Sequence, residues 1–262
     1  MRASRVRYPL MLLTAAVAVF ITSAPLRASE SDDRIASSAK ESYVFKTYLT
    51  GDAINIQAQD GIVTLTGTVT EESHMSLAED TVAALPGVTR VENRLGLSSN
   101  RVAKDSDAWL ATKVKTTLSF QRNVSASHTE VSAKDGDVTL RGEATSQTQR
   151  ERTTEYANNV EGVKGVKNKM TVSKSPKLPN DAIGQKIDDP SITAQVKMAL
   201  LFHRSTSASN TKVETNEGIV TLAGQAPTGA EKDLVAKLVT NIHGVKGVVN
   251  NMTINESLSM SN

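Results

Sequence analysis

Two groups of side chains could bring this chain to a surface. Trp109 is the single tryptophan, with Lys113 and Lys115 close after it and Phe120 beyond. Further along, Lys197, Phe202 and Arg204 repeat the combination of aromatic ring and cation. Rings flanked by Lys and Arg suit the headgroup layer of an anionic bilayer. Trp109 stands one residue off the Leu110, Val114, Leu118 face of its helix, which makes it the expected exposed contact. Phe120 and Phe202 have a second reading, as plugs at the end of a core.

No residue pattern points to catalysis. The G-x-S-x-G, H-E-x-x-H and G-x-x-x-x-G-K-S/T patterns are missing from the sequence. The four histidines, His74, His128, His203 and His243, lack ligand spacing, so no metal is expected. The acid pairs Glu71-Glu72 and Asp188-Asp189 fall at helix starts, where carboxylates favour the helix dipole. Gly162-Val163-Lys164-Gly165 and Gly244-Val245-Lys246-Gly247 have the shape of an RNA-gripping G-x-x-G loop. They join helix to strand rather than helix to helix, however, and Arg90 breaks the pattern in the corresponding earlier stretch. The expectation is therefore no catalytic site, no cofactor and no nucleic acid.

What positions these residues is a phrase written three times: Asp60-Gly61-Ile62-Val63-Thr64-Leu65-Thr66-Gly67, Asp135-Gly136 through Gly142, and Glu217-Gly218 through Gly224. An acidic residue followed by Gly supplies the positive φ of a tight hairpin, and the β-branched run after it reads as a strand. The match extends without gaps. Gly87, Gly162 and Gly244 share one offset from the turn glycine, as do Asn93, Asn168 and Asn250, and as do Phe45, Phe120 and Phe202. Trp109 has no aromatic counterpart at its offset. The three asparagines share strand parity with apolar neighbours and are expected to point inward, each amide tying down nearby backbone.

Each copy reads as helix–strand–strand–helix–strand: an α+β, two-layer αββαβ unit whose three-stranded mixed sheet is covered on one face by two helices. The units span 29–97, 106–172 and 190–255, with a linker at 173–189 and a polar tail at 256–262. In the first, Ser31 or Asp32 is expected to cap the opening helix and Thr70 the second; Ser106 or Asp107 and Asp189 take the opening cap in the others. The second unit's later helix is unusually polar, with Arg152, Thr153, Tyr156, Ala157 and Val160 at its stripe positions. It is expected to be the least stable copy, or to use that helix against a partner.

Residues 1–28 read as an export signal: Arg2, Arg5 and Arg7, an apolar run from Leu10 to Ile21, and a cleavage point after Ala28. The alternative is a retained anchor. The chain has no Cys, so neither a lipidated cysteine nor a disulfide can form. Removing the segment takes away four arginines and no acids, turning a formal charge of +2 into −2. Residues 29–99 carry 5 basic against 11 acidic side chains, and residues 100–173 carry 12 against 9.

The D-G-x-V-x-L-x-G phrase, a helix, then G-V-x-x-V-x-N (Gly87 to Asn93, Gly162 to Asn168, Gly244 to Asn250) resembles the BON domain of bacterial envelope proteins. With its export signal, the chain is similar to osmotically inducible periplasmic proteins of the OsmY type, here with three copies instead of two. The resemblance implies a non-catalytic periplasmic protein that binds anionic phospholipid under osmotic or envelope stress. Its alternative is a protein-binding scaffold or chaperone-like factor meeting other envelope proteins. The shared Gly61, Gly67, Gly136, Gly142, Gly218, Gly224 and Asn positions are turn and core residues, so they indicate fold rather than ligand.

Overall fold

The structure, a computed structural model, describes residues 26–99, 106–173 and 186–255. Most of the expected export segment, residues 100–105, the bulk of the expected linker at 173–189 and the tail from 256 lie outside these residues. Unit one runs α1 (Leu26–Glu41), α2 (Tyr43–Thr47), β1 (Ala53–Gln59), β2 (Ile62–Val69), α3 (Glu72–Ala83) and β3 (Arg90–Leu97). Unit two runs α4 (Asp107–Phe120), β4 (Thr129–Lys134), β5 (Asp137–Ala144), α5 (Gln147–Asn158), β6 (Gly165–Asn168) and β7 (Thr171–Val172). Unit three runs α6 (Asp189–Phe202), β8 (Thr211–Asn216), β9 (Ile219–Ala226), α7 (Gly229–Thr240), β10 (Gly247–Asn250) and β11 (Thr253–Ile254). In every unit the central strand pairs antiparallel with the strand before it and parallel with the strand after α3, α5 or α7.

Both turn residues of each hairpin have positive φ: Asp60 54° and Gly61 77°, Asp135 55° and Gly136 89°, Glu217 51° and Gly218 80°. An acid in the left-handed region costs energy, and a repeated device offsets it. The carboxylate of Asp32 accepts the N–H of Asp60 (2.8 Å) and of Gly61 (3.1 Å). Asp107 does the same for Asp135 and Gly136 (2.7 and 3.0 Å), and Asp189 for Glu217 and Gly218 (2.7 and 2.8 Å). These two donors hold the Asp107 carboxyl below the usual carboxylate range.

That bond corrects the expected caps. Asp32 lies inside α1, which starts at Leu26, ahead of the cleavage point proposed after Ala28. Ser106 caps α4 through the Trp109 N–H as expected, whereas Asp188, not Asp189, caps α6 through the Ser191 N–H. Thr70 does not cap α3 either. Its hydroxyl donates to Asp52 (3.0 Å), and Glu71 stands at the cap position without a side-chain capping bond. Ser146 and Thr228 cap α5 and α7.

The inward asparagines bridge strand and helix. Asn93 donates to the Met75 carbonyl (3.2 Å), Asn168 to Arg150 (3.0 Å) and Asn250 to Lys232 (2.8 Å), each on the unit's later helix. Each also accepts a backbone N–H two residues on: Leu95, Met170 and Met252. In units two and three that second bond coincides with a break in the last strand, between β6 and β7 and between β10 and β11.

Candidate functional site

The units are not beads on a string. One continuous core joins units one and three and takes in Trp109 and Phe120 from unit two, while the rest of unit two keeps a core of its own around Leu118 and Leu140. At the centre of the joint core stands α6. From Ser191 to Phe202 only Lys197 and Leu201 escape full burial. A helix buried on nearly every side must be surrounded by other elements, and α3 and α4 supply them.

Units two and three meet by a reciprocal exchange. The chain leaving α4 pairs with the chain leaving α7: Arg122 N–H donates to Asn241 O (3.0 Å) and His243 N–H to Phe120 O (2.9 Å). The chain leaving α6 pairs with the chain leaving α5: Arg204 N–H to Asn159 O (3.0 Å) and Glu161 N–H to Phe202 O (2.8 Å). The two arginines complete it. The Arg122 guanidinium donates to the carbonyls of Ile242 (2.9 Å) and Val245, and that of Arg204 to Val160 (3.3 Å) and Val163 (2.7 Å). These carbonyls lie in the turns just past the C-termini of α5 and α7, where a cation is favoured. Because the paired residues occupy equivalent places in their units, the contact is isologous, as in a two-fold dimer.

Unit one cannot join in this way, and two residues say why. Where Glu161 and His243 donate their N–H, unit one has Pro86, which has none. Where Arg122 and Arg204 stand, it has Thr47. Unit one docks instead through the break between α1 and α2. The Tyr43 and Val44 N–H groups freed there donate to Asp188 Oδ2 (2.7 Å) and Ser191 Oγ (3.1 Å) at the start of α6. Lys197 reaches Asp80 on α3 at 2.9 Å, and burial still pushes the Asp80 carboxyl above its usual range. Tyr48 stacks edge-on against Phe120, ring centroids 5.2 Å apart, and burial raises its phenol.

The three rings expected at the surface therefore lie inside the molecule, while the cations beside them, of which Lys115 and Arg204 are exposed, are bonded to backbone carbonyls or to Asp80. Trp109 is 8% exposed and meets Phe202 edge-on at 6.2 Å. That corrects the expectation of an exposed ring: it lacks a counterpart in the other units because it fills the junction. Phe120 and Phe202 are buried. Lys113 is held by Glu161 O (2.9 Å), and Lys115 by Ala126 O (2.7 Å) and Thr129 O (2.5 Å), with its ammonium pKa lowered by burial. Among the described residues the structure gathers Trp109, Phe120, Lys197, Phe202 and Arg204 at contacts between units, whereas Lys113 and Lys115 are bonded within unit two. The sequence reading missed Asp32, Asp107, Asp189 and Arg122. Their shared offsets were visible, but the acids passed for ordinary helix caps.

Two histidines sit at the reciprocal junction. His203 Nδ1 accepts the Ser205 N–H at 3.1 Å, so the neutral ring carries its proton on Nε2, which has no partner among the described residues. Burial, then Arg204, lowers its pKa; burial, then Arg122, lowers that of His243. A depressed histidine contributes full stability where it is neutral, above its ordinary value near 6.5, and loses that contribution as pH falls below it. The melting temperature should drop from pH 7.5 to pH 5, and His203→Gln, the residue found at the equivalent Gln121, should flatten that dependence. An unchanged slope in the variant would show that His203 is not the titrating group.

A groove of about 930 Å³ between units one and three is lined by Tyr43, Pro86, Lys186, His243 and Lys246 together with Asp188 and Asp189. Its two aspartates are already engaged by backbone N–H groups. Among the described residues no group of histidines and acids could hold a metal, and no helix is long and apolar enough to cross a membrane.

Comparison with known proteins covers most of the described chain. The BON domain profile matches residues 31–97, 106–174 and 188–256. The chain is 30% identical over 146 residues to osmotically-inducible protein Y of Escherichia coli, covering 56% of this chain and 71% of that protein. It is 31% identical over 115 residues to the outer membrane lipoprotein DolP of Haemophilus influenzae, covering 44% of this chain and about half, 56%, of that one. Among solved structures, the C-terminal domain of the Chlamydia trachomatis type III secretion protein CdsD aligns at 16% identity over 84% of this chain and 95% of that domain. Its TM-score of 0.23 carries no argument.

Proposed function

The chain belongs to the BON domain family, and from that premise we propose that it is a non-catalytic periplasmic protein that binds anionic phospholipid at the cell envelope under osmotic stress. The observation that carries this reading is the family match through all three units, together with a relative named for osmotic induction and another named as an outer membrane lipoprotein. The export segment and the lack of cysteine agree with a soluble, unlipidated form.

The cations available to headgroups are not those in the junctions. Lys134, Arg141, Arg152, Lys167 and Lys169 of unit two are exposed. Lys167 and, by strand alternation, Lys169 stand on the sheet face turned away from the helices. Each exposed cation near an anionic surface contributes about 1 kcal/mol. The mature chain should co-sediment with phosphatidylglycerol vesicles at low salt and release at high salt. Lys167→Glu with Lys169→Glu should weaken binding at least about tenfold. No co-sedimentation at low salt would remove the lipid from this reading. Because Trp109 is already enclosed, its emission should not shift when vesicles bind.

A further inference from the structure

The last long strand of each unit lies at the edge of its sheet, and the three edges differ in one respect. Edge strands present unpaired N–H and C=O groups, and proteins guard them with charge. In unit one β3 carries Arg90, Glu92 and Arg94, and in unit two β6 carries Lys167 with Lys169 just after it. In unit three β10 reads Gly247-Val248-Val249-Asn250, followed by Asn251, with no charge at all. Among the described residues its one strand neighbour is β9. Val249, at the place of Glu92 and Lys167, is 44% exposed, and Ile219 on the adjoining strand is 40% exposed.

We propose that β10 is the edge through which a second copy of this chain joins, strand to strand and antiparallel, about a two-fold axis. Only an extended chain can satisfy an open ladder of backbone groups. Self-pairing about the centre of β3 or β6 would bring Glu92 against Glu92 or Lys167 against Lys167, and like charges directly opposed are unfavourable. On β10 the same symmetry brings valines together. The edge also continues an existing interface. The stretch Asn241–Val245 leads into β10 and already holds Phe120–Arg122 by antiparallel backbone bonds. Units of this kind also meet isologously inside the chain, as units two and three do.

Sedimentation velocity of the mature chain over about a hundredfold range of concentration should show a monomer–dimer equilibrium. Val249→Lys should weaken it at least about tenfold. That variant should fold, since lysine stands at the equivalent Lys167 in unit two. Val172→Lys, also at an exposed edge (46%) but in unit two, should leave association unchanged. In the unaltered chain the β10 amides should gain hydrogen-exchange protection as concentration rises. A monomer at every concentration would overturn the proposal. So would Val249→Lys dimerising as before, Val172→Lys losing the dimer equally, or no concentration-dependent protection on β10. Vesicle binding is read separately, so either result stands without the other.

Discussion

Gly224→Ala should strongly destabilise unit three, and unit one with it. Gly224 has φ +110°, and an added Cβ would stand 2.0 Å from the Asn210 carbonyl oxygen. That oxygen belongs to backbone at the start of the hairpin, where no rotamer change can relieve the clash. A left-handed alanine costs roughly 1–2 kcal/mol before any overlap, and with it the cost passes about 3 kcal/mol. A domain holds only about 5–15 kcal/mol in total. Since units one and three share one core, the loss should be cooperative. Gly142→Ala makes the same clash, 1.8 Å from the His128 oxygen, but in the unit with its own core. It should give a two-step melt in which unit two goes first. Calorimetry of both variants decides. A single transition for Gly142→Ala, or a melting point within a few degrees of the parent for Gly224→Ala, would contradict the shared core.

The fold was legible because its signals are local. An acid–Gly turn, a β-branched run, an amphipathic helix and a glycine just past its end are each written within a dozen residues, and threefold repetition separates them from chance. The asparagine bridge was legible for the same reason, since strand parity alone sends Asn93, Asn168 and Asn250 inward. What escaped is long in reach. An aspartate at a helix start looks like a cap whether or not it reaches 29 residues ahead, as Asp32 does to Gly61. A Trp with nearby lysines looks interfacial whether the interface is lipid or another unit. Burial resolves that, and burial here depends on how units dock. The docking rule was nonetheless written in the departures from the repeat: Pro86 against Glu161 and His243, and Thr47 against Arg122 and Arg204. Averaging three copies into one motif hides those differences, and the differences are what assemble the molecule.

Phe202→Ala should open the reciprocal junction and make Trp109 report it. Phe202 is 6% exposed and supplies the edge-on partner of Trp109, while its carbonyl receives the Glu161 N–H. Truncating a buried phenylalanine costs about 3–5 kcal/mol, comparable to what the backbone bonds at the junction return at about 1 kcal/mol each. Tryptophan emission should move to longer wavelength as water reaches the ring, and the melting point should fall by several degrees. Leu201→Ala, one residue earlier but 51% exposed, should do neither, which separates the junction from the helix that carries it. Phe120→Ala should act on the opposite half of the exchange through Tyr48. Combined with Phe202→Ala it should cost less than the sum, because the second truncation acts on a junction already open. The opened variant also tests where lipid binds. If headgroups meet the cations of unit two, both forms bind vesicles alike, and only the variant's Trp109 is free to shift towards shorter wavelength. If instead Trp109, Lys113 and Lys115 were the contact, opening the junction would raise vesicle affinity itself. An unshifted Trp109 and an unchanged melting point in Phe202→Ala would mean that the two rings do not hold units two and three together.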